Sequence, residues 1–186
     1  SEAEDLLDQA LTAAPEDADL LTSRAGLYSS RGENDRAEEM LRQAVAIDAF
    51  HLQARLRLTE LLERGGRLEE AAEVIEDLLK ANPGQPEALA ALGRVRLVDP
   101  QAARPYLEEA VRLNPGRFEP LFNLGLCHLQ LGQPEKGEAS LRRALDLRPG
   151  HPLCRNNLAI ALTMQGRLDE AEADLRILIA ENPEFV

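Results

Sequence analysis

An interval of 34 residues, repeated along the whole chain, constrains this sequence more than any other feature. Proline recurs at Pro15, Pro83, Pro115, Pro149 and Pro183, with separations of 68, 32, 34 and 34 residues. Glycine recurs in the same register at Gly32, Gly66, Gly132 and Gly166. A third series of small residues consists of Ala3, Ala37, Ala71, Ala103, Gly137 and Ala171. Because the series share one interval that is two residues short, they indicate a chain built from copies of one unit.

Each unit has the sequence pattern of two helices joined by a short turn. Apolar residues recur at helical spacing on both sides of Gly132, at Leu121, Leu124, Cys127, Leu141, Ala144, Leu145 and Leu147. A glycine between the two runs supplies the left-handed residue that commonly ends a helix. Pro86 and Pro152 are predicted to open first helices, where a missing N–H leaves no hydrogen bond unmade.

The period predicts one repeat domain over residues 1–186. Its full repeats are expected at 18–51, 52–85, 86–117, 118–151 and 152–186, and residues 1–17 match only the second helix of a unit. The shortened repeat, 86–117, has Asp99-Pro100-Gln101 in place of the glycine turn. Because Pro100 and Pro105 cannot both occupy the first helical position, we expect its second helix to have a distorted or late start, near 102–103, with a neutral loop deletion as the alternative.

The unit resembles the tetratricopeptide repeat in length and in residue pattern. Residues 118–151 place the following side chains at the signature positions: Leu121, Leu124, Gly125, His128, Gly137, Leu141, Ala144 and Pro149. The signature tryptophan is absent, and only Tyr28 keeps the signature aromatic. The resemblance covers the whole chain and implies an all-α fold, an α-solenoid of stacked antiparallel helix pairs. Five full repeats and one half repeat would form a right-handed superhelix, with first helices lining the concave wall.

Small residues recur where the two helices of a unit are expected to cross. Ala25, Gly93, Gly125 and Ala159 on first helices would face Ala37, Ala103, Gly137 and Ala171 on second helices. A leucine at such a contact would force the helices apart. One unit cannot bury its apolar stripe alone, so we expect neighbouring units to stack.

The charge balance excludes several classes of partner. There are 21 basic and 33 acidic side chains, for a net charge of −12. A nucleic-acid binder needs a basic face, and so does a protein that docks on an anionic membrane. No leader sequence and no apolar run of about 20 residues is visible, which favours a cytoplasmic protein. The two cysteines are too few for a disulfide-stapled scaffold.

No catalytic or metal-binding pattern stands out, so we expect no enzyme activity, no cofactor and no metal. His51, His128 and His151 lack ligand spacing, and His128 is interpreted as a packing residue in an aromatic position. Cys127 and Cys154 form no CxxC motif. They are interpreted as small buried hydrophobic residues, with a contact between adjacent repeats as the alternative.

The inward residues of the first helices form the candidate peptide-binding groove. The predicted groove residues are Phe122, Asn123, Leu126, Asn156, Asn157, Ile160, Arg57 and Arg94. Phe122 is predicted to anchor a partner side chain, with packing against Leu126 or the next helix as the alternative. Asn123 and Asn157 lie one repeat apart and could hold a peptide backbone, although asparagine is also usual there in the family. The two arginines could meet a carboxylate.

These observations favour a non-catalytic scaffold that binds a peptide segment of a partner protein. Two alternatives stay open. The chain could be the regulatory or substrate-recruiting arm of a larger enzyme, such as a glycosyl- or sulfo-transferase or a signalling protein. It could also assemble end to end through uncapped faces, since the apolar Phe185-Val186 pair ends the sequence.

Overall fold

The chain divides into two compact units, Ser1–Pro83 and Gly84–Val186. A computed structural model describes residues 2–181, and it contains no strand within that range. The first unit contains α1 (Glu2–Ala13), α2 (Ala18–Ser30), α3 (Asn34–Ile47), α4 (Leu52–Arg64) and α5 (Leu68–Ala81). The second unit contains α6 (Pro86–Val95), α7 (Pro100–Leu113), α8 (Phe118–Gln130), α9 (Pro134–Leu147), α10 (Pro152–Met164) and α11 (Leu168–Glu181).

Consecutive helices pack against each other inside each unit. The pairs α2–α3 and α4–α5 form the helix hairpins of the first unit, and α6–α7, α8–α9 and α10–α11 form those of the second. Successive hairpins stack through α3 on α4, α7 on α8 and α9 on α10. The predicted all-α fold of stacked helix pairs is thus confirmed. Pro183 of the proline series and the apolar Phe185-Val186 pair lie outside the described residues.

The turn between the two helices of a hairpin has the predicted glycine geometry. Gly32, Gly66, Gly132 and Gly166 have φ angles of 77°, 75°, 67° and 76°. These angles lie in the left-handed region, which glycine adopts readily and residues with a Cβ rarely adopt. Pro86 and Pro152 open α6 and α10 as predicted.

The shortened repeat departs from the sequence prediction, because its second helix does not start late. Helix α7 begins at Pro100, where the Asp99 carboxylate accepts hydrogen bonds from the N–H groups of Gln101 (3.0 Å) and Ala102 (3.3 Å). This cap stabilises the helix start by about 1 kcal/mol. Pro105 lies inside the helix, one turn further on. This repeat is two residues shorter than the others, and the difference lies before α7, where the chain forms a 3-10 turn over Arg96–Val98.

Glycine lets the helices of a hairpin approach closely. A methyl group built on Gly125 of α8 would lie 2.6 Å from Leu141 Cγ of α9, and one on Gly93 would lie 2.6 Å from Leu107 Cγ. Gly125 thus lies close to Gly137 across the α8–α9 crossing, as predicted, whereas the atoms nearest to Gly93 belong to Leu107 and not to the predicted Ala103. Leu147 does not belong to the core as its spacing suggests, because it ends α9 and stays 43% exposed.

The second helices of successive hairpins carry the same four-residue ion network twice, once in each unit. Its members are Glu38, Arg42, Arg67 and Glu70 in the first unit, and Glu138, Arg142, Arg167 and Glu170 in the second. In the second network Glu138 accepts from Arg142 Nε at 2.8 Å and from Arg167 Nη1 at 2.6 Å. The network joins α9 to the start of α11, so it ties neighbouring repeats together.

We expect Glu138→Gln to destabilise the second unit by about 1 kcal/mol, since it removes the negative charge that two guanidinium groups share and one of the two acceptor oxygens. Burial alone would raise the pKa of Glu138, but hydrogen bonds from Gln165 and Arg142 outweigh it and hold the pKa below the ordinary 4.5. The stabilisation is therefore complete above about pH 4.5 and is lost as the pH falls through the lowered value. Urea unfolding at about pH 7 and about pH 3 measures both effects. Glu135→Gln is the control on the same helix, and an equal loss in that variant would contradict the network.

Candidate functional site

Six of the eight predicted groove residues lie on α8 and α10, the adjoining first helices of the last two repeats. Phe122 and Leu126 of α8 are half-buried, as are Asn156 and Asn157 of α10. Ile160 is 43% exposed. These residues therefore belong to one pair of contacting helices in the second unit. The sixth, Asn123 of α8, is buried.

Phe122 is held in an aromatic cluster with Phe118 and His151. Its ring is stacked on Phe118, with centroids 5.6 Å apart, and its centroid lies 5.5 Å from that of His151. Phe118 is itself 4.5 Å from the His151 ring centroid. These ring contacts restrict the Phe122 side chain, which stays half-buried. The i,i+4 spacing of the two phenylalanines is a signal that sequence reasoning did not use.

An ion pair borders the aromatic cluster. The Arg148 guanidinium lies 4.5 Å from the Phe118 ring centroid, at cation–π distance. The same guanidinium donates to Glu119 Oε1 at 2.6 Å. The end of α9 and the start of α8 are thereby joined at one edge of the cluster.

The two equivalent asparagines are not presented in the same way. Asn123 is only 7% exposed, so little of its amide reaches the surface of α8. Asn157 is half-buried and donates from Nδ2 to the Leu153 carbonyl of its own helix at 2.7 Å. Part of the hydrogen-bonding capacity expected for a bound backbone is therefore used within the chain.

Helix α10 exposes an apolar stripe made of Leu153, Ile160 and Met164. Their exposed fractions are 50%, 43% and 48%. Spacings of seven and four residues place all three on one helix face. Met164 was missed by sequence reasoning, although its i,i+4 relation to Ile160 could have revealed it. Large apolar side chains exposed together are typical of an interaction surface.

The two predicted arginines lie outside this pair of helices. Arg57 belongs to α4 of the first unit, where its Nη1 lies 3.3 Å from the place that a methyl group on Gly26 would take. Arg94 lies near the end of α6 in the second unit and is half-buried. Arg57 thus belongs to the first unit, and the other seven predicted groove residues belong to the second.

His51 and His151 are helix caps, a role that the sequence did not suggest. His51 Nδ1 accepts from the Ala54 N–H at 3.1 Å, and His151 Nδ1 accepts from the Cys154 N–H at 3.2 Å. Each imidazole therefore caps the N-terminus of a first helix: His51 caps α4 and His151 caps α10. Burial, and then the nearby Arg148 charge, lowers the pKa of His151 from its ordinary 6.5.

His128, Cys127 and Cys154 are buried structural residues. His128 is 5% exposed, its Nδ1 lies 3.1 Å from Gln133 Oε1, and burial lowers its pKa. Both cysteines are free, and their thiols lie against the carbonyls of Pro100 and Leu141. Burial raises the pKa of Cys127, and it raises that of Cys154 to about 12. These thiols therefore stay protonated at neutral pH and are poor nucleophiles.

Neither a metal-binding cluster nor a membrane-spanning helix occurs in the part of the chain that the structure describes. Within it, no group of three or more His, Cys, Asp or Glu side chains could hold a metal ion. In the same residues, no helix has both the length and the apolar character needed to cross a bilayer.

Comparisons with known proteins agree with the helix-pair architecture. Residues 30–95 match a family model described as Tetratricopeptide repeat, and residues 88–152 and 128–184 match a second model of the same description. The human protein named Protein O-mannosyl-transferase TMTC3 is 27% identical over 146 residues, which make up 76% of this chain and 16% of that protein. This chain thus corresponds to a small part of that relative.

Solved structures share the fold over most of their length. YrrB, described as "a TPR protein with an unusual peptide-binding site", is 25% identical, with a TM-score of 0.71 over 96% of this chain and 93% of that one. MamA of Desulfovibrio magneticus RS-1 is 22% identical, with a TM-score of 0.76 over 89% and 95%. Family models, period and helix pairs lead to one conclusion: the chain belongs to the tetratricopeptide-repeat family.

Proposed function

We propose that this chain is a non-catalytic scaffold that binds a peptide segment of a partner protein along α8 and α10. The observation that carries the proposal is the apolar stripe of α10, exposed beside the half-buried Phe122 and Leu126 of α8. Because about half of each side chain in the stripe is already covered, a partner that covers the rest would gain about 0.7–1.5 kcal/mol for each one. The similar protein YrrB is described as having a peptide-binding site.

The geometry favours recognition of apolar side chains over recognition of the peptide backbone. Asn123 is nearly buried, and Asn157 already donates to Leu153. The stripe offers three large apolar side chains, and Phe122 is fixed by its ring contacts. Because the fixed ring has little freedom left to lose, binding there has a small entropic cost. Most of the net charge of −12 is carried by the first unit, so the partner segment is proposed to be largely apolar.

Ile160→Asp is expected to weaken peptide binding at least tenfold, because it places a charge in the apolar stripe. The control is Ile177→Asp on α11, since Ile177 is 41% exposed and Ile160 is 43% exposed. A peptide is first selected from a displayed random library against the full chain. Its affinity for each variant is then measured by fluorescence anisotropy, with thermal unfolding to confirm that both variants fold. Unchanged affinity in Ile160→Asp would contradict the proposal, and a loss only in Ile177→Asp would assign binding to α11.

A second candidate is that these repeats recruit substrate for a larger enzyme. It is supported by the similarity to human Protein O-mannosyl-transferase TMTC3, of which the aligned segment is 16%. Sequencing the complete transcript of this protein tests the idea first. A reading frame that encodes repeats alone would reject it. If a transferase domain is present, turnover of a peptide-linked acceptor should fall when Ile160→Asp is introduced, while turnover of a free acceptor should not change.

A further inference from the structure

His151 contacts both helices of the proposed groove, so its protonation state can affect the groove residues. Its Nδ1 accepts the hydrogen bond from the Cys154 N–H (3.2 Å), which caps the helix that carries the apolar stripe. Its ring also contacts Phe118 and Phe122, with centroid distances of 4.5 and 5.5 Å. One imidazole thus supports both helices of the proposed binding site.

An imidazolium ion cannot act as this cap. Both ring nitrogens of a protonated histidine carry hydrogen, so neither can accept from the Cys154 N–H. Turning the ring over does not restore an acceptor. The hydrogen bond is therefore lost whenever His151 is charged, and loss of a cap lowers helix stability by about 1 kcal/mol.

The charged groups around His151 do not offer the imidazolium a ready partner. Arg148, at the end of α9, adds a positive charge and already lies over the Phe118 ring. Glu119 of α8 is the neighbouring acid, and it is paired with Arg148 at 2.6 Å. On α10 itself, the cation Arg155 donates to the Pro149 carbonyl at 3.0 Å and pairs with Asp174 at 3.2 Å. The cluster is thus built around the neutral ring.

We propose, on the basis of the function above, that His151 is a pH-sensitive cap of the groove: its protonation removes the bond from the Cys154 N–H and loosens the aromatic cluster, so that the second unit holds its peptide less tightly in mild acid. His51 is the internal comparison. It caps α4 in the same way, but its Nε2 lies 3.0 Å from Asp19 Oδ1, which can hold a charged ring in place.

The direction of the pH effect follows from the preference for the neutral ring. Because the folded state lowers the pKa of His151 below 6.5, the cap is fully effective above about pH 6.5. It is lost as the pH falls through the lowered value. Carboxylates stay largely ionised down to about pH 5.5, so the range from about 7.5 to 5.5 isolates the histidines. His128 titrates in the same unit, and it is kept in every variant.

The test compares the wild-type chain with His151→Asn and His51→Asn, since asparagine caps a helix without titrating. Hydrogen exchange of the Cys154 amide, corrected for its intrinsic rate, is measured without peptide at about pH 7.5 and 5.5. Protection is expected to fall in wild type and in His51→Asn, by up to about fivefold for complete loss of the cap, and to stay constant in His151→Asn. The affinity of the selected peptide should fall by a similar factor in the same two proteins and stay constant in His151→Asn.

Protection that is independent of pH in wild type, or that falls equally in His151→Asn, would overturn the proposal. The proposal would also be overturned if the peptide affinity did not change with pH although the protection of the Cys154 amide did. A chain that selects no peptide, but whose Cys154 amide loses protection as described, would contradict the proposed function and still support the pH-sensitive cap.

Discussion

Gly125→Leu is expected to unfold the second unit under conditions where the wild-type unit is folded. A Cβ at this position would lie 2.6 Å from Leu141 Cγ, 2.8 Å from Leu141 Cδ2 and 3.4 Å from the Gly137 carbonyl oxygen. Leu141 is fully buried and cannot move aside, and the Gly137 contact is backbone. Overpacking of this kind exceeds the gain of about 1 kcal/mol in helix propensity, so we expect a net loss of about 3 kcal/mol or more.

Gly150→Leu is the matched control for this substitution. Gly150 is exposed in the link before α10, and nothing lies within 4 Å of a Cβ built there. We expect its free energy of unfolding to change by less than about 0.5 kcal/mol. Urea unfolding followed by circular dichroism measures both variants. If Gly125→Leu unfolded at the same urea concentration as the control, the close approach of α8 and α9 would not be essential to the fold.

The helix-pair fold could be predicted from the sequence because its determinants are local and repeated. Gly32 and Gly132, 100 residues apart, both sit at the same kind of turn and both adopt positive φ. The crossing of α8 and α9 was predictable for the same reason, since only small residues such as Gly125 and Gly137 fit there. Each of these features depends on backbone geometry that one or two residue types satisfy.

The features that were missed depend on competition between interactions. The late start predicted for α7 was wrong because the Asp99 cap acts at the helix start, whereas Pro105 lies further inside and forfeits only one hydrogen bond. The capping role of His151 needs a particular ring orientation, which spacing does not encode.

The geometry of the candidate groove residues was predictable only in part. The repeat register assigned Phe122 and Ile160 to first helices, and they lie on the adjoining helices α8 and α10, where Ile160 is 43% exposed. Phase could not show that Asn123 is buried or that Asn157 donates to its own helix. Burial depends on how closely α8 and α10 pack and on the size of neighbouring side chains, which no single repeat specifies.

Arg55→Ala is expected to destabilise the first unit by about 3 kcal/mol, whereas Arg55→Leu should stay within about 1 kcal/mol of wild type. Arg55 is 7% exposed; its Nε donates to the Ala49 carbonyl at 2.6 Å and its Nη1 to the Val74 carbonyl. It therefore fills space in the core and also ties α4 to α5 and to the preceding link. Alanine removes both contributions and leaves a cavity.

Leucine at this position has a precedent within the chain. Leu21, Leu89 and Leu121 occupy the same place in three other repeats, with exposed fractions of 4%, 6% and 1%. A buried charge replaced by an apolar residue of suitable volume often leaves stability unchanged. Urea unfolding distinguishes the two variants, and equal losses would mean that the hydrogen bonds, and not the occupied volume, dominate.

Arg155 supplies the contrasting case at the same repeat position of the second unit. It donates to the Pro149 carbonyl at 3.0 Å, and its Nη1 also lies 3.2 Å from the Asp174 carboxylate, which is 17% exposed. Arg155→Leu would leave that carboxylate without this partner, so we expect a loss of about 2 kcal/mol where Arg55→Leu loses little. The difference between the two leucine variants measures what the ion pairs of Arg155 with Asp174 and Glu181 add, because the two sites share their place in the repeat.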